Sequence, residues 1–431
     1  MKENKKKIII IFVSLLSLFV TIFTIYMITK NMDGGMFNNN IKIDLKYQIP
    51  LYLGTLMLSL SLLSLIINIK NRDKLIIYIL SSIILFTILN IVSYQGINYF
   101  TKKNATNETQ EKDQVTLDES NVVSDKNINL NHYDTDITIP DEGTYTLTGN
   151  LNHSVIIDAE DKDVNLILNN VNIVTTKTAA IIGMSANKIT ITLAEDSENT
   201  LSDGGNSSYD GCIFSNAELV FNGTGFLTVN GNQTEGEGIA TEAKDITFNG
   251  GTYIITSNDD GINAGGDGAT ITINDGTFYI DASGDGIDSN KDVIINGGTI
   301  YVMGSDIGGD SGIDTDDGYA INGGTVVALG SDMIETPISS SKQNTIVFTL
   351  DSAISKDKLV TLTDENGDVI VSFKANKNFK TLIISSSKLV KGTYYLYTGG
   401  TNSGKLSYGI YQNSKYSEGT KIEINNVSEF T

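Results

Sequence analysis

The sequence contains few of the residues that form covalent cross-links or nitrogen and sulfur metal sites. Its 431 residues include one cysteine, two histidines, no tryptophan, three prolines and a single arginine, Arg72. One cysteine excludes an intrachain disulfide framework and any zinc or iron–sulfur site built from several cysteines. Glycine, in contrast, occurs 41 times. Together with many Asn, Asp and Thr residues, it indicates a structure with many tight turns.

Charge divides the chain into two parts. Residues 1–103 contain 12 Lys and Arg against 4 Asp and Glu, a net charge of +8. The remaining residues contain 18 basic and 47 acidic side chains, a net charge of −29. A protein that binds nucleic acid needs a basic surface for the phosphates. The acidic part is therefore a poor candidate for nucleic-acid binding.

Three long apolar segments without Asp, Glu, Lys or Arg predict transmembrane helices: Ile8–Ile28, Leu51–Ile69 and Leu75–Val92. Each is long enough to cross about 30 Å of hydrocarbon. Lysines before the first segment and basic residues between the second and third predict that these flanks are cytoplasmic. We therefore expect residues from about 96 onward to be extracellular. The alternative for the first segment is a cleaved signal peptide, but it is long for one and no small-residue cleavage site follows it. Without ionisable groups the helices are expected to be an anchor rather than a transport pathway.

Two sequence markers recur together from about residue 209. The glycine of an acidic-Gly-Ile-like step recurs every 23–27 residues, at Gly211, Gly238, Gly261, Gly286 and Gly312. The asparagine of an Asn-Gly-Gly-Thr-like step recurs every 22–27 residues, at Asn222, Asn249, Asn274, Asn296 and Asn322. Between the markers apolar residues alternate with period two, which is typical of short strands. About 25 residues with three short strands predict one coil of a parallel β-helix, with coils about 4.8 Å apart.

This repeat predicts an all-β fold after the membrane segments. We predict a membrane anchor of three helices in residues 1–100, a polar linker in 101–132, a parallel β-helix in 133–340 and a small antiparallel β-domain in 341–431. The last domain is expected to cap the open end of the solenoid, because an exposed strand edge favours aggregation. Stacked asparagines are expected to hydrogen-bond along the solenoid. Cys212 aligns with Ile239 of the next coil, which predicts a small buried hydrophobe rather than a reactive thiol.

Acidic residues fall at matching positions of successive coils. At a spacing of about 4.8 Å and an effective dielectric near 20, two stacked carboxylates repel by about 3 kcal/mol. A hard cation would relieve this repulsion, and ligands that are all oxygen favour Ca²⁺. The alternative is ordinary turn chemistry on a solvated face, which we favour for Asp210 and Glu237. The predicted metal ligands are Asp259, Asp260, Asn263, Asp285, Asp288, Asp310, Asp314, Asp316 and Asp317.

Three of these motifs form an ordered set, at residues 258–264, 284–290 and 312–325. The set resembles a bacterial surface family that is described as carbohydrate-binding-domain-containing and is common in clostridia and their relatives. Residues 392–394 and 397–400 are similar to the C-terminal segment of that family. The resemblance implies a right-handed β-helix like that of pectate lyases, bound Ca²⁺, and binding to plant polysaccharides such as polygalacturonate or cellulose. Members of the family are more often secreted or singly anchored. The three predicted helices therefore leave a glycan of the cell's own envelope as an alternative ligand.

Three functions fit these observations, and the first is favoured. In a calcium-dependent binding module, the predicted ligand-binding residues are Lys291 and the outward-facing Tyr279 and Tyr301, whose rings would supply surface for a sugar. The alternative for the two tyrosines is packing against each other across neighbouring coils. In a structural spacer or adhesin, calcium would only stiffen the rod. In a calcium-assisted polysaccharide lyase, Lys291 would be the best candidate for the base, since the acidic part has no arginine.

Overall fold

The computed structural model describes residues 121–242, 244–266, 268–417, 419–422 and 427–430. The three predicted membrane helices and most of the predicted linker lie outside these residues. Among the residues that it does describe, none belongs to a helix long and apolar enough to cross a bilayer.

The described chain winds as a parallel β-helix in which three columns of strands surround one core. The first column consists of Asn121–Val122, Ile137–Ile139, Val155–Asp158, Ile181–Ser185, Gly211–Ser215, Glu237–Glu242, Ile262–Gly265, Ile287–Ser289 and Ile313–Thr315. The second consists of Asn127–Asn129, Gly143–Leu151, Asp163–Val174, Lys188–Leu193, Glu218–Gly223, Ile246–Phe248, Ile271–Ile273, Asp292–Ile295 and Gly318–Ile321. The third begins in the long strands of the second column and continues as Glu198–Ser202, Phe226–Gly231, Thr252–Ser257, Thr277–Ala282, Thr299–Met303 and Thr325–Gly330.

The predicted parallel solenoid is confirmed, but it starts earlier than the sequence indicates. Parallel pairing already joins Asn121–Val122 to Ile137–Ile139, and Asn127–Asn129 to Gly143–Leu151. A 3₁₀ turn at Leu130–His132 follows in the same coil. The end of the predicted linker therefore belongs to the first coil. Only Val123, Ile128 and Leu130 are buried in residues 121–132, so the composition of this segment resembles that of a polar linker.

Alternation of apolar and polar residues explains why these segments are strands. In Ile271–Ile273 both isoleucines are fully buried and the threonine between them is half-buried. Register places Ile246 and Val293 on either side of Ile271. Each buried aliphatic side chain contributes about 1.5–3 kcal/mol relative to full exposure. The inward columns thus hold successive coils together.

The asparagine marker forms the expected amide ladder at one corner of the solenoid. Side-chain N–O distances of 2.7–2.9 Å link Asn222, Asn249, Asn274, Asn296 and Asn322 in order. The glycine after this ladder has a conformational role. Gly298 has φ of +90°, and a Cβ atom there would lie 2.6 Å from the carbonyl oxygen of Gly276. Only glycine is compatible with this corner.

Antiparallel strands follow the last coil. Phe379–Ser386 pairs with Thr325–Gly330 of the third column, and Thr345–Ile354 pairs with Phe379–Ser386 and with Val427–Phe430. A six-stranded antiparallel sheet contains Lys405–Ser407, Ile410–Gln412, Val369–Lys374, Leu359–Asp364, Tyr394–Thr398 and Thr420–Ile422. Thr401–Asn402 pairs with Tyr416–Ser417. The edge of the third column is therefore covered. The boundary of a separate domain at residue 341 stays a prediction, since one apolar cluster includes residues from both sides of it.

Cys212 corrects the alignment of one coil. Register pairs Gly211 with Glu237 and Ile213 with Ile239, so Cys212 lies opposite Gly238. The inward isoleucine column thus continues through Ile213. An alignment that matches the glycine of Asp210-Gly211 to Gly238 is therefore wrong by one residue in this coil. The predicted burial of Cys212 is confirmed, and burial raises the pKa of its thiol.

Candidate cation site

The outward-facing column of the first sheet changes character along the solenoid. In the earlier coils it consists of Ile156, Ile182, Phe214 and Ala240, which form a small buried cluster on the outer face. In the next three coils the same register positions hold Asn263, Asp288 and Asp314. Backbone pairing continues without interruption, so the change is one of side chains alone.

A second column of acids lies two residues before the inward isoleucines. Asp260 Oδ1 accepts the backbone N–H of Asp285 at 2.7 Å, and Asp285 Oδ1 accepts the backbone N–H of Ser311. These hydrogen bonds tie each carboxylate to the following coil. The carboxylates crowd Gly284, where a Cβ atom would lie 2.4 Å from Oδ1 of both Asp259 and Asp260.

Asn263 connects the two acidic columns. Its Nδ2 donates to Asp260 Oδ2 at 2.8 Å and lies 3.4 Å from Asp288 Oδ2. An amide can present either its nitrogen or its oxygen, and the two orientations have nearly the same shape. Turning the amide would place Asn263 Oδ1 beside two carboxylate oxygens, and such a set of oxygens suits Ca²⁺.

The pKa values of three carboxyl groups in this site are raised above their ordinary value. Burial, together with neighbouring carboxylates led by Asp314, raises the pKa of Asp285 to about 7 and that of Asp288 to about 6. Burial, then Asp259, raises the pKa of Asp260 well above its usual value. Within the described part of the chain no lysine or histidine forms an ion pair with these groups. Buried acids without a countercharge are typical of functional sites.

Two further acids belong to this cluster although the sequence analysis did not assign them to it. Glu237 was interpreted as turn chemistry, and this is wrong. Burial and Asp210 raise its pKa, and its Oε2 has no hydrogen-bond partner among the described residues. Its register position, equivalent to that of Asp260, was the available signal. Glu335 accepts a hydrogen bond from Thr315 and faces Asp314. It follows the last coil, so the repeat gave no indication of it.

The predicted ligands differ in how closely the structure associates them. Asp310 raises the pKa of Asp285 and Asp316 raises that of Asp288, so both lie near the cluster. Asp317 is exposed, and its backbone N–H donates to the carbonyl of Lys291. No three His, Cys, Asp or Glu side chains of the described residues converge on one point. An ion here would need Asn263, backbone carbonyls or water besides pairs of carboxylates. The oxygen-only donor set fits Ca²⁺.

The two tyrosines predicted as a sugar platform stack on each other but are covered. Their rings lie 5.5 Å apart and nearly parallel. Tyr301 is fully buried, its hydroxyl donates to the carbonyl of Lys374, and its ring lies 6.1 Å from that of Phe373. Tyr279 is half-buried beside it. The C-terminal strands occupy this face, so Tyr301 cannot contact a glycan. Lys291 is half-buried in the turn after Ile287–Ser289.

Comparison with known proteins identifies the family. A family profile described as carbohydrate-binding domain-containing protein matches residues 133–389. A relative from Acetivibrio thermocellus with the same description is 29% identical over 151 residues, which are 33% of this chain and 52% of the relative. The chain thus matches about half the length of that relative.

A solved structure, titled as the gadolinium derivative of the polysaccharide lyase-like protein from C. thermocellum, shares 27% identity. The match covers 44% of this chain and 83% of that one, with a TM-score of 0.37. A TM-score of this size supports no conclusion about this chain. The family profile, however, covers more than half of the chain, and the protein therefore belongs to the carbohydrate-binding-domain-containing family that its motifs resemble.

Proposed function

We propose that this protein is an extracellular, membrane-anchored polysaccharide-binding protein whose binding depends on Ca²⁺. The observation that supports the proposal most directly is the run of buried and half-buried carboxylates in consecutive coils, without a cationic partner among the described residues. Family membership supports a carbohydrate as the ligand.

Each side chain of the cluster has a role in this proposal. Asp288 and Asp314, which are paired in neighbouring coils, bind the ion between them. Asp260 and Asn263 complete the oxygen set from the preceding coil. Asp285 orients the following coil by accepting the N–H of Ser311. Bound calcium supplies positive charge and free coordination positions for sugar oxygens.

An acidic polysaccharide such as polygalacturonate is the ligand that most needs this arrangement. The described part of the protein belongs to the strongly acidic portion of the chain, which repels a polymer of the same sign. A calcium ion shared between protein and uronate carboxylates would convert this repulsion into attraction. Binding should therefore be lost when calcium is removed.

The test is retention of the full-length protein on immobilised polygalacturonate. Retention is measured first in millimolar calcium and then after EGTA has removed the calcium. We expect retention in calcium, release in EGTA, and loss of retention in the double variant Asp288→Asn/Asp314→Asn. Asp275→Asn is the matched control, because Asp275 is exposed in a turn elsewhere on the solenoid and, among the described residues, its side chain accepts a hydrogen bond only from the backbone N–H of Gly276. Retention that persists in EGTA would refute the calcium mechanism. Calcium binding without retention on polygalacturonate or on isolated cell-envelope glycan would favour the spacer.

The predicted membrane anchor needs a separate experiment. We expect the protein to stay with membranes after a high-salt wash and to leave them only in detergent. Protease added to intact cells should cleave residues after about 96. Release by salt alone would contradict the anchor.

A further inference from the structure

A second candidate site lies near the start of the solenoid, far from the acidic cluster. A cavity of about 320 Å³ opens there, lined by Asn131, Tyr133, Asp134, Asn150, Asn152 and His153. The volume is at the lower end of the range for small-molecule sites.

The cavity lies on the same edge of the first sheet as the acids. His153 precedes Val155 by two residues, as Asp285 precedes Ile287, and Val155 and Ile287 belong to the same column of paired residues. Five coil steps separate the two positions, a distance of about 24 Å at the usual strand spacing. The two sites therefore face the same side of the solenoid without sharing a residue.

Two of the three amide groups of the cavity, those of Asn131 and Asn150, are ordered by hydrogen bonds before any ligand binds. Asn131 Oδ1 accepts hydrogen bonds from both the backbone N–H and the Nδ2 of Asn150, at 3.1 and 3.0 Å. Asn150 Oδ1 in turn accepts from Asn172 Nδ2 at 3.2 Å. Side chains that are already ordered lose little conformational entropy on binding.

The imidazole of His153 lies beside a buried acid. His153 Nδ1 lies 3.9 Å from Asp136 Oδ1, and the same carboxylate oxygen accepts the backbone N–H of Ser154 at 2.8 Å. Asp136 is only 9% exposed. The contact leaves Nε2 of His153 available for another hydrogen bond.

The remaining side chains have free hydrogen-bonding capacity. Tyr133 is half-buried and packs against the apolar core. Asp134 and Asn152 are exposed. The side chains of these three residues form no hydrogen bond with any other residue that the structure describes. The cavity thus combines one aromatic ring with amide, carboxylate and imidazole groups that can donate and accept.

We propose that this cavity binds a neutral hexopyranose unit of a glycan without calcium. A pyranose ring has an apolar C–H face that suits an aromatic side chain, and neighbouring hydroxyls that suit Asn, Asp and His groups, which supply both donors and acceptors. Among the described residues, no lysine or arginine lines the cavity, and the negative charges of Asp134 and Asp136 disfavour an anionic sugar. This site goes beyond the calcium-dependent function, because it requires neither the ion nor the acidic cluster.

The test is saturation-transfer NMR on the full-length protein in EGTA, in detergent if extraction requires it. The probes are the methyl glycosides of glucose, galactose, mannose and N-acetylglucosamine. We expect saturation transfer to the ring protons of at least one probe. Asn152→Ala and Asp134→Ala should each reduce that signal at least fivefold. Both residues are exposed, so the variants should keep the fold, which circular dichroism verifies.

Two controls make the result specific. Asn216→Ala removes an exposed asparagine elsewhere on the solenoid, and Asp288→Asn alters the acidic cluster. Neither should change the signal. Absence of transfer from all four probes, or equal transfer in Asn152→Ala and the unaltered protein, would overturn the proposal. Because the measurement contains no calcium and no uronate, its failure is distinct from failure of polygalacturonate binding.

Discussion

The earlier and later coils of the first sheet use the same register position in opposite ways. In the earlier coils Ile182 and Phe214 pack outward against each other and become buried. In the later coils Asp288 and Asp314 occupy that position and are paired with each other in register. Since the backbone pairing is the same, the solenoid supplies only the spacing of about 4.8 Å. The side chains decide whether that spacing yields packing or charge repulsion.

Moving an acid into the apolar coils should have the largest effect. Ile182→Asp places an uncompensated carboxylate at a fully buried position. We expect the free energy of unfolding to fall by about 3–5 kcal/mol. Urea unfolding followed by circular dichroism measures the loss. Ile182→Val, which only removes a methylene, should cost about 1 kcal/mol. Equal losses in the two variants would contradict the contrast between the coils.

The converse substitution should stabilise the calcium-free protein. Asp288→Leu removes repulsion with Asp314 and makes the later coils resemble the earlier ones. Replacing buried charges by apolar groups is often stabilising, and here we expect about 1–2 kcal/mol in EGTA. In calcium the advantage should disappear, because the substitution also removes a ligand. Thermal unfolding in both buffers checks this, and destabilisation in EGTA would contradict the repulsion.

The pH dependence of the stability should also distinguish the acidic coils from the apolar coils, with a smaller effect than the substitutions above. Asp285 and Asp288 have folded-state pKa values of about 7 and about 6, above the ordinary value of 3.8. The folded protein therefore holds these protons more tightly than the unfolded chain does. The resulting stabilisation is present below pH 4 and is lost as the pH rises through 6 and 7.

In EGTA the protein should thus melt at a higher temperature at pH 5 than at pH 8. Asp288→Asn should reduce the difference, whereas Phe214→Leu in the apolar coils should leave it unchanged. Calcium should reverse the trend, because the ion binds the deprotonated carboxylates. A melting temperature independent of pH in EGTA would show that these carboxyl groups are not perturbed.

The sequence predicts the solenoid well because a periodic fold repeats its evidence in every coil. The same repetition places Asp288 and Asp314 at matching positions, which the register of the strands confirms, while their role as metal ligands stays a prediction. Two acids are exceptions: Glu237, whose burial is seen only in the structure, and Glu335, which lies after the last coil and outside the repeat. Cys212 shows the limit of aligning coils by a short motif. The Asp-Gly step of its coil is displaced by one residue relative to the strand register, and the sequence alone does not show this displacement.

Contacts between parts distant in sequence are the features that periodicity cannot predict. Tyr301 is placed outward correctly by the alternation, but Phe373 and Lys374 cover it from 70 residues further along the chain. The N-terminal cavity was missed because its asparagines lie in coils where both markers are degenerate. The repeat therefore predicts the solenoid. The residues that cover its surface and line its cavities belong to segments that do not repeat, so the repeat does not predict them.

Isothermal titration of Ca²⁺ into the EGTA-stripped, desalted full-length protein tests the central claim most directly. The account predicts saturable binding that the double variant Asp288→Asn/Asp314→Asn weakens at least tenfold and that Asp275→Asn leaves unchanged. No measurable heat and no calcium-induced rise in melting temperature, or equal affinity in the double variant, would contradict it.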